Sequence, residues 1–567
     1  MKKQTFIAGT IILTIGGFIA KIIGAFYKIP LTNILGSAGM GIYYLVFPLY
    51  NLMFIFSSSG ISVAITKLIA EARVNKVKKN ETTYLKAGLL IGFVVSFLFA
   101  IIMAVFAEKI AYSQGNILSK LGFVAIAPSI IFASLVTIIK GYFQGIENMI
   151  PSSIAIIVEQ IVKLIAGLIF SYKLLPYGIE YAVMGSIIAV TISEGFTFFI
   201  MIVNYLYHKK YRDNRFYNKD NNNLLKQINI ESTIKNNNKY KKTKIAINKK
   251  IFYFHRSSKY ISFLDAIKSI TRMMVPNTLI SLVLPLISLF DSFLVINLLT
   301  KTGYSSLTAT SLYGINSGVV ASLISLPVII TSSVATAIVP NLSGLVCSNN
   351  KNEVNERVSF FIKITFVVVL PIFLFFAIFS SDIISALYNF GTNVVINEYG
   401  FACKLLFVSS VIILYNALLS TFVSILQSIN KTYTTFFIMG IAFVVRSIIT
   451  IVLLQNLKFN IFGLVVSQVV FLLICDIGCL MVIKKNIEIK TKVFQSYFLP
   501  CLSLAISSIV SYLTSQIFEN INIWLSLVVS GGILTITYLV FLFVFRCFDD
   551  VDTKYIPILR RFRRIRK

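Results

Sequence analysis

Charged side chains inside long apolar segments are the residues of this sequence whose types and spacing could do chemistry. Lys21 and Lys28 lie seven residues apart, so a helix presents both ammonium groups on one face. A lysine at membrane depth costs about 2.5–3.5 kcal/mol on insertion scales, so it needs a partner or a water-filled cavity. Because phosphate is a common partner of a lysine charge, the pair predicts a phosphate-binding site.

Carboxylates occur in similar apolar surroundings. Glu159 and Lys163 stand at i,i+4 in the favourable acid-first order, either as a neutral structural pair or as part of the substrate site. Glu194 and Asp291 are candidates for binding a coupling cation. Pro285 precedes Asp291 and should kink its helix, because proline removes a backbone hydrogen bond.

The remaining reactive residue types indicate no further chemistry. Arg446 and Asp476 lie in consecutive apolar segments and are predicted to pair with each other in a structural role. The six cysteines show neither a disulfide framework nor a metal-ligand spacing, so no metal site is predicted. No cofactor is predicted, and the sequence has no GxxxxGK[ST] loop through which ATP could drive the protein directly.

The segments that carry these charges have the composition of membrane spans. The 567 residues are 57% hydrophobic and 13% charged, with a mean hydropathy of +0.83. A globular protein carries about 25% charged residues, so a soluble enzyme is excluded. Uncharged runs such as 87–106, 405–430 and 521–545 reach the roughly 20 residues that a helix needs to cross the bilayer.

The sequence therefore predicts an all-α integral membrane protein with 14 transmembrane helices. The predicted spans are 5–30, 40–66, 86–107, 119–143, 150–173, 181–207, 268–299, 311–340, 359–381, 398–429, 432–455, 460–483, 493–517 and 521–545. Of the 52 Lys and Arg residues, 42 then fall on one side, 5 on the other and 5 within spans. By the positive-inside rule, both termini are predicted to be cytoplasmic.

Composition also divides the chain into five parts. These are a six-helix lobe (1–207), a basic and mostly disordered cytoplasmic linker (208–262), a second six-helix lobe (263–483), two additional helices (484–545) and a basic tail (546–567). The ends of corresponding helices are similar in the two halves: Ser57–Ser59 and Thr331–Ser333, Phe143–Glu147 and Leu426–Asn430. Repeats of six helices keep their orientation, as in transporters with a central substrate site.

The net charge of +30 is a consequence of this topology. In a soluble protein such a charge would suggest a nucleic-acid partner, which is not expected here. The basic linker can rest on anionic membrane lipids, at about 1 kcal/mol per basic residue near the surface, or be a solvated insert.

Three stretches resemble a known family: Gly16–Leu31, Ser134–Gly167 with Lys140–Gly145 at its centre, and Leu312–Pro340. They are similar to the stage V sporulation protein B group of the polysaccharide-exporter branch of the multidrug/oligosaccharidyl-lipid/polysaccharide (MOP) flippase superfamily. The resemblance implies two six-helix lobes around a central cavity in the bacterial plasma membrane. It also implies flipping of a polyprenyl-pyrophosphate-linked saccharide, lipid II-like, to the outer leaflet.

The resemblance bears on individual residues as well. Related lipid II flippases use basic residues in their first, second and eighth helices, and Lys21 and Lys28 match the first-helix positions. The corresponding segments Asn51–Phe56 and Gly318–Pro327 contain no basic residue. The expectation is that Lys21 contacts the phosphate, with Lys28 nearer the exit.

Two other function classes fit the sequence less well. A cation-coupled multidrug antiporter of the same superfamily needs an acidic, aromatic cavity, whereas the first helix offers lysines. A membrane glycosyltransferase needs carboxylates at the membrane face, but the outer loop Leu31–Gly39 has none, and His208 and His255 lie in the linker. A non-enzymatic flippase is therefore the expectation.

Overall fold

The computed structural model describes residues 6–74, 78–233, 260–347, 351–390, 397–456, 458–488, 494–519 and 522–548. Within these ranges the regular secondary structure is entirely helical. Helix α1 (Phe6–Val74) contains two of the predicted spans, 5–30 and 40–66, and bends between them at Gly36 (φ 66°, ψ −178°). Glycine adopts this left-handed φ without steric cost, so the chain reverses direction with no intervening loop.

The rest of the first lobe consists of helices joined by short connections. Its helices are α2 (Lys78–Val105), α3 (Ala107–Ser113), α4 (Lys120–Gly145), α5 (Ile150–Leu174) and α6 (Ile179–Thr233). Helix α6 runs past its predicted end at 207 and into the predicted linker, because neither Pro nor Gly occurs between Gly195 and Thr233 to stop it. Linker positions 234–259 lie outside the described residues, so that part of the linker stays a prediction.

The second lobe is built from ten helices in the described part of the chain. They are α7 (Phe263–Ser281), α8 (Val283–Lys301), α9 (Ser306–Gly314), α10 (Ala321–Cys347), α11 (Lys351–Ile378), α12 (Ser380–Leu387), α13 (Glu398–Ser409), α14 (Val411–Ser428), α15 (Thr432–Leu454) and α16 (Phe462–Asn486). A π-helical turn, Ile315–Val320, joins α9 to α10.

The predicted kink near Pro285 is found as a break between α7 and α8 at Leu282. Because of this break, one predicted span packs against both lobes. Ala266 and Ile270 of α7 lie in a hydrophobic core built mainly from the first lobe, whereas Val295 and Leu299 of α8 belong to a core of the second.

Twelve helical stretches of the described residues are long and apolar enough to cross a membrane. One of them, Ile12–Arg73, contains the two predicted spans that meet at Gly36, and α7–α8 is not among the twelve. The count of 14 therefore stays a prediction.

The last two helices pack as a pair on the second lobe. They are α17 (Leu499–Glu519) and α18 (Ile523–Val544). The hydroxyl of Tyr538 donates a hydrogen bond to the carbonyl of Val367 in α11 at 3.0 Å, and Leu504 and Leu542 join the same small core.

The two lobes are in close contact at the end of the molecule that holds Gly36, which we call the Gly36 end. A Cβ atom on Gly41 would overlap the carbonyl oxygen of Thr310, and one on Gly314 would overlap that of Ser37. Only glycine lets the backbones of α1 and α9 approach this closely.

Hydrogen bonds tie the lobes together at the same end. Buried Ser37 donates to a carboxylate oxygen of Glu398 at 2.6 Å, and the side-chain amide of Asn116 donates to the Thr310 hydroxyl at 2.8 Å. Asn33 donates to the Leu387 carbonyl at 3.1 Å. In the predicted topology the Gly36 end would face the outside.

Candidate functional site

Two lysines from different helices converge on one group of aromatic rings in the first lobe. The ammonium of Lys28 in α1 lies 5.4 Å from the centroid of the Tyr44 ring. The ammonium of Lys163 in α5 lies 5.6 Å from the centroid of Phe47 and 6.0 Å from that of Tyr27. These distances fall within the range of cation–π attraction. Neither lysine forms an ion pair within 4.0 Å among the described residues.

The second half of α1 supplies Tyr44 and Phe47 of this group and carries a row of aromatic residues. Tyr43, Phe47, Tyr50 and Phe54 recur at three- and four-residue spacing and therefore share one helix face. The rings of Tyr43 and Phe47 are 4.5 Å apart, and those of Tyr50 and Phe54 are stacked at 6.1 Å. Phe47 of this row contacts Lys163, and Tyr44, whose ring meets that of Tyr43 edge-on at 5.4 Å, contacts Lys28. Tyr43 and Tyr50 are buried in the core of the first lobe.

Close helix packing brings α5 to the row. A Cβ atom on Gly167 would overlap the hydroxyl of Tyr27, so glycine lets the two helices meet at this level. On the other side, the Tyr44 hydroxyl lies 3.3 Å from the Ser322 hydroxyl of α10. The lysine site therefore borders the contact between the lobes.

The carboxylates of the first lobe lie beside this site, but with a different partner from the one predicted. Glu159 does not form the i,i+4 ion pair with Lys163. It pairs with Lys140 of α4 at 3.4 Å and accepts a hydrogen bond from Gln160 at 3.1 Å. The Lys163 ammonium is directed to the rings instead, although the charge of Glu159 still acts on it.

Glu194 of α6 completes the first-lobe group. It is buried, and its charge interacts with those of Glu159, Lys140 and Lys163. The structure thus brings together four of the six predicted site residues: Lys28, Glu159, Lys163 and Glu194.

Lys21 and Asp291 lie apart from that group. Lys21 is exposed. It lies three residues before Gly24, and the side chain of Gln160 in α5 packs against Gly24. It therefore lies on the side of α1 that faces α5. It has no hydrogen bond or ion pair with the residues that the structure describes.

Asp291 is in the second lobe, and the predicted pairing of Arg446 with Asp476 is wrong. Arg446 donates to both carboxylate oxygens of Asp291 at 2.9 and 2.7 Å, and to Gln468 at 3.0 Å. The arginine is 2% exposed and the aspartate 13%. Gln468 precedes Asp476 by eight residues, or about 12 Å of helix, so Arg446 lies too far along α16 to reach Asp476.

Sequence reasoning missed two parts of the site. The sequence marks Lys140 as part of the charge pattern and of the family-like stretch Lys140–Gly145, but no local pattern links it to Glu159, 19 residues away on another helix. The aromatic row had a signal, the i,i+3/i+4 spacing from Tyr43 to Phe54, which would have identified one continuous face.

Two helical lobes with charges buried between membrane-spanning segments define an integral membrane protein with the fold of the MOP superfamily. A solved structure of "Lipid II flippase MurJ, inward closed conformation" matches with a TM-score of 0.64 and 17% identity, covering 94% of this chain and 98% of that one. An inward-facing multidrug resistance MATE transporter matches with a TM-score of 0.58 and 14% identity, covering 82% and 95%.

Family models match most of the sequence. "Polysaccharide biosynthesis protein" matches residues 6–231, and "Lipid II flippase MurJ" matches residues 247–530. Because the second model covers half of the chain, the chain belongs to the family of MurJ-type lipid II flippases.

Curated relatives confirm the expected resemblance. Stage V sporulation protein B of Bacillus subtilis (strain 168) is 27% identical over 344 residues, which is 60% of this chain and 59% of that protein. Lipid II flippase MurJ of the same organism is 22% identical over 471 residues, 80% of this chain and 78% of that protein. The chain thus spans about three fifths of the sporulation protein.

Proposed function

We propose that this protein is a flippase that moves a pyrophosphate-linked saccharide lipid to the outer leaflet by alternating access of its two lobes. The observation that carries the proposal is that Lys28 and Lys163 lie over neighbouring aromatic rings, those of Tyr44 and Phe47, without a carboxylate partner among the described residues. Two ammonium groups held in this way attract a doubly charged group such as pyrophosphate.

The surroundings of the lysines fit the rest of such a lipid. Aromatic rings offer flat faces to sugars, and the half-buried rings of Tyr44 and Phe47 lie beside the two cations. The charges of Glu159 and Glu194 act on Lys163 and limit how tightly an anion is held. Binding of this moderate kind favours transport, because a substrate held too strongly is not released.

Transport requires the Gly36 end to open. In the proposed cycle the head group enters from the cytoplasm past exposed Lys21, reaches Lys28 and Lys163, and leaves once the contacts of Ser37 and Gly41 separate. The direction depends on the proposed topology, with both termini in the cytoplasm.

Of the two carboxylates predicted to bind a coupling cation, Glu194 is the better supported. Its interactions are with residues of the lysine site, so its protonation or cation binding would change the charge there. Asp291 already has a cation partner in Arg446.

Purified protein in sealed liposomes that contain fluorescent lipid II tests the proposal. Movement of the label is followed by its access to a quencher added outside. Lys28→Gln and Lys163→Gln should each slow flipping about tenfold or more, since a charge-assisted contact contributes about 1.5–3 kcal/mol. Lys109→Gln is the control, because Lys109 lies in α3 over the ring of Phe106, away from the site.

The same liposomes separate the flippase from the alternative of a cation-coupled multidrug antiporter. Ethidium transport that survives both lysine substitutions, without lipid II flipping by the unmodified protein, would show the proposal to be wrong.

A further inference from the structure

Asp476 is a buried acid that no part of the mechanism above uses. It lies in α16 and is 6% exposed, and both carboxylate oxygens lack a hydrogen-bond partner among the described residues. The residues one turn before and after it on α16, Leu472 and Cys479, are buried in a hydrophobic core, as is Cys475 beside it. The side chain therefore sits in apolar surroundings, unlike Asp291.

The helices packed against α16 offer it no charge partner in the described ranges. These helices are α13, α14 and α15. Arg446 of α15 is bound to Asp291 and Gln468, and Lys404 of α13 is exposed. The other titratable groups of these elements are Glu398, Tyr399 and Cys403 of α13, Tyr415 of α14, exposed Tyr433 of α15, and Cys475, Cys479, Lys484 and Lys485 of α16.

Among these groups, the thiols of Cys475 and Cys479 are the ones that interact with Asp476. Thiols are weak hydrogen-bond donors and carry no positive charge. They cannot stabilise a carboxylate in the way that Arg446 stabilises Asp291.

An ionised carboxylate in such a place is strongly disfavoured, whereas a neutral carboxylic acid is tolerated. These surroundings therefore favour the protonated form of Asp476 in this conformation. An intramembrane acid without a structural partner is characteristic of proton pathways in transporters. Because α16 packs on α14 and α15, movement of these helices in the transport cycle would expose the acid to water.

We propose that Asp476 is a proton-binding site of the second lobe. It holds a proton while the Gly36 end is closed and exchanges it with water when the lobe rearranges. One oxygen–hydrogen bond is broken and one is formed, with water as the acceptor or donor. The coupling of this proton to transport rests on the proposed function, but the protonation itself does not.

Infrared spectroscopy of the full-length protein in liposomes tests the protonation directly, without any substrate. The carbonyl band of protonated carboxylic acids should lose intensity in Asp476→Asn at neutral pH, relative to the unmodified protein. Asp382→Asn is the control, because Asp382 is only half-buried, accepts a hydrogen bond from Ser381 and should contribute no such band. An unchanged band in a correctly folded Asp476→Asn variant would overturn the proposal. Asp476→Glu should restore the band.

A second measurement tests the coupling with fluorescent lipid II as the probe. With the membrane potential clamped at zero, an inward gradient of one pH unit should shift the lipid II ratio between leaflets about tenfold for one coupled proton. The ratio in Asp476→Asn should not respond to the gradient.

The outcomes separate the two proposals. An equal response of the variant and the unmodified protein would overturn the assignment of the coupling proton to Asp476. Failure of the unmodified protein to move lipid II would overturn the proposed function, and the infrared band would still decide whether Asp476 binds a proton.

Discussion

Basic residues of this protein occupy two opposite environments. Lys28 and Lys163 lie over aromatic rings and have no carboxylate partner in the described part of the chain, so they can receive an anion. Arg446 is bound by both oxygens of Asp291 and is almost completely buried, so it can receive nothing more. At the scale of single residues, the partner of a charge decides whether the charge stabilises the fold or remains for a ligand.

The Arg446 pair gives a stability prediction. Asp291→Asn leaves a buried guanidinium without its counter-charge and should lower the free energy of unfolding by about 3–5 kcal/mol. Asp291→Asn combined with Arg446→Gln should recover most of this loss, because no unpaired charge is left. Thermal unfolding in detergent measures both. A single variant as stable as the unmodified protein would contradict a structural role for the pair.

Lys21 gives a functional prediction. If it contacts the phosphate on entry, Lys21→Gln should abolish flipping of fluorescent lipid II while membrane insertion and unfolding temperature stay normal. Because Lys21 is exposed and has no bond to break, the substitution should cost little stability. Flipping at the unmodified rate would remove Lys21 from the site.

At the scale of helices, the positions of the membrane spans along the chain could be predicted from the lengths of its uncharged segments. A helix needs a minimum apolar length to cross the hydrocarbon core. It could not predict the partners of the buried charges. Arg446 and Asp291 are 155 positions apart, and helix packing alone determines that they meet. The end of α6 was also not predictable from polarity. The chain becomes polar after position 207, but no Pro or Gly ends the helix there, and it continues to Thr233.

The close contact between α1 and α9 at the Gly36 end leads to a prediction about how this end opens. Gly314→Leu would force α9 away from the Ser37 carbonyl and should open this end. A cysteine introduced at buried Ser311, in a background without native cysteines, should then react faster with an impermeant thiol reagent added outside. Gly532→Leu is the control, because no atom lies within 4 Å of a Cβ there. Equal labelling of both variants would contradict a seal at this position.

For the whole molecule, the charge pattern predicts that the linker is cytoplasmic. A cysteine at Asn236, a position outside the described residues, should react with an impermeant reagent only after cells are opened. A cysteine at Thr302, between α8 and α9, should react in intact cells. The reverse result would overturn the topology.

The energy source is also a property of the whole molecule. A pyrophosphate group that moves outward travels down an inside-negative potential and gains about 2.3 kcal/mol per charge per 100 mV. Flipping in sealed vesicles should therefore follow the potential and ignore ATP. Collapse of the potential with valinomycin and matched potassium should slow it, and a strict ATP requirement would show the mechanism to be wrong.

The bend at Gly36 has a thermodynamic consequence. Lys28 and two residues of the Gly36 end, Ser37 and Gly41, belong to the two halves of α1, which meet at Gly36 with no intervening loop. If head-group binding at Lys28 favours opening at Ser37, reciprocity requires opening to strengthen head-group binding by the same factor. A cross-link that holds the outer side shut should then lower lipid affinity at a site that it does not touch.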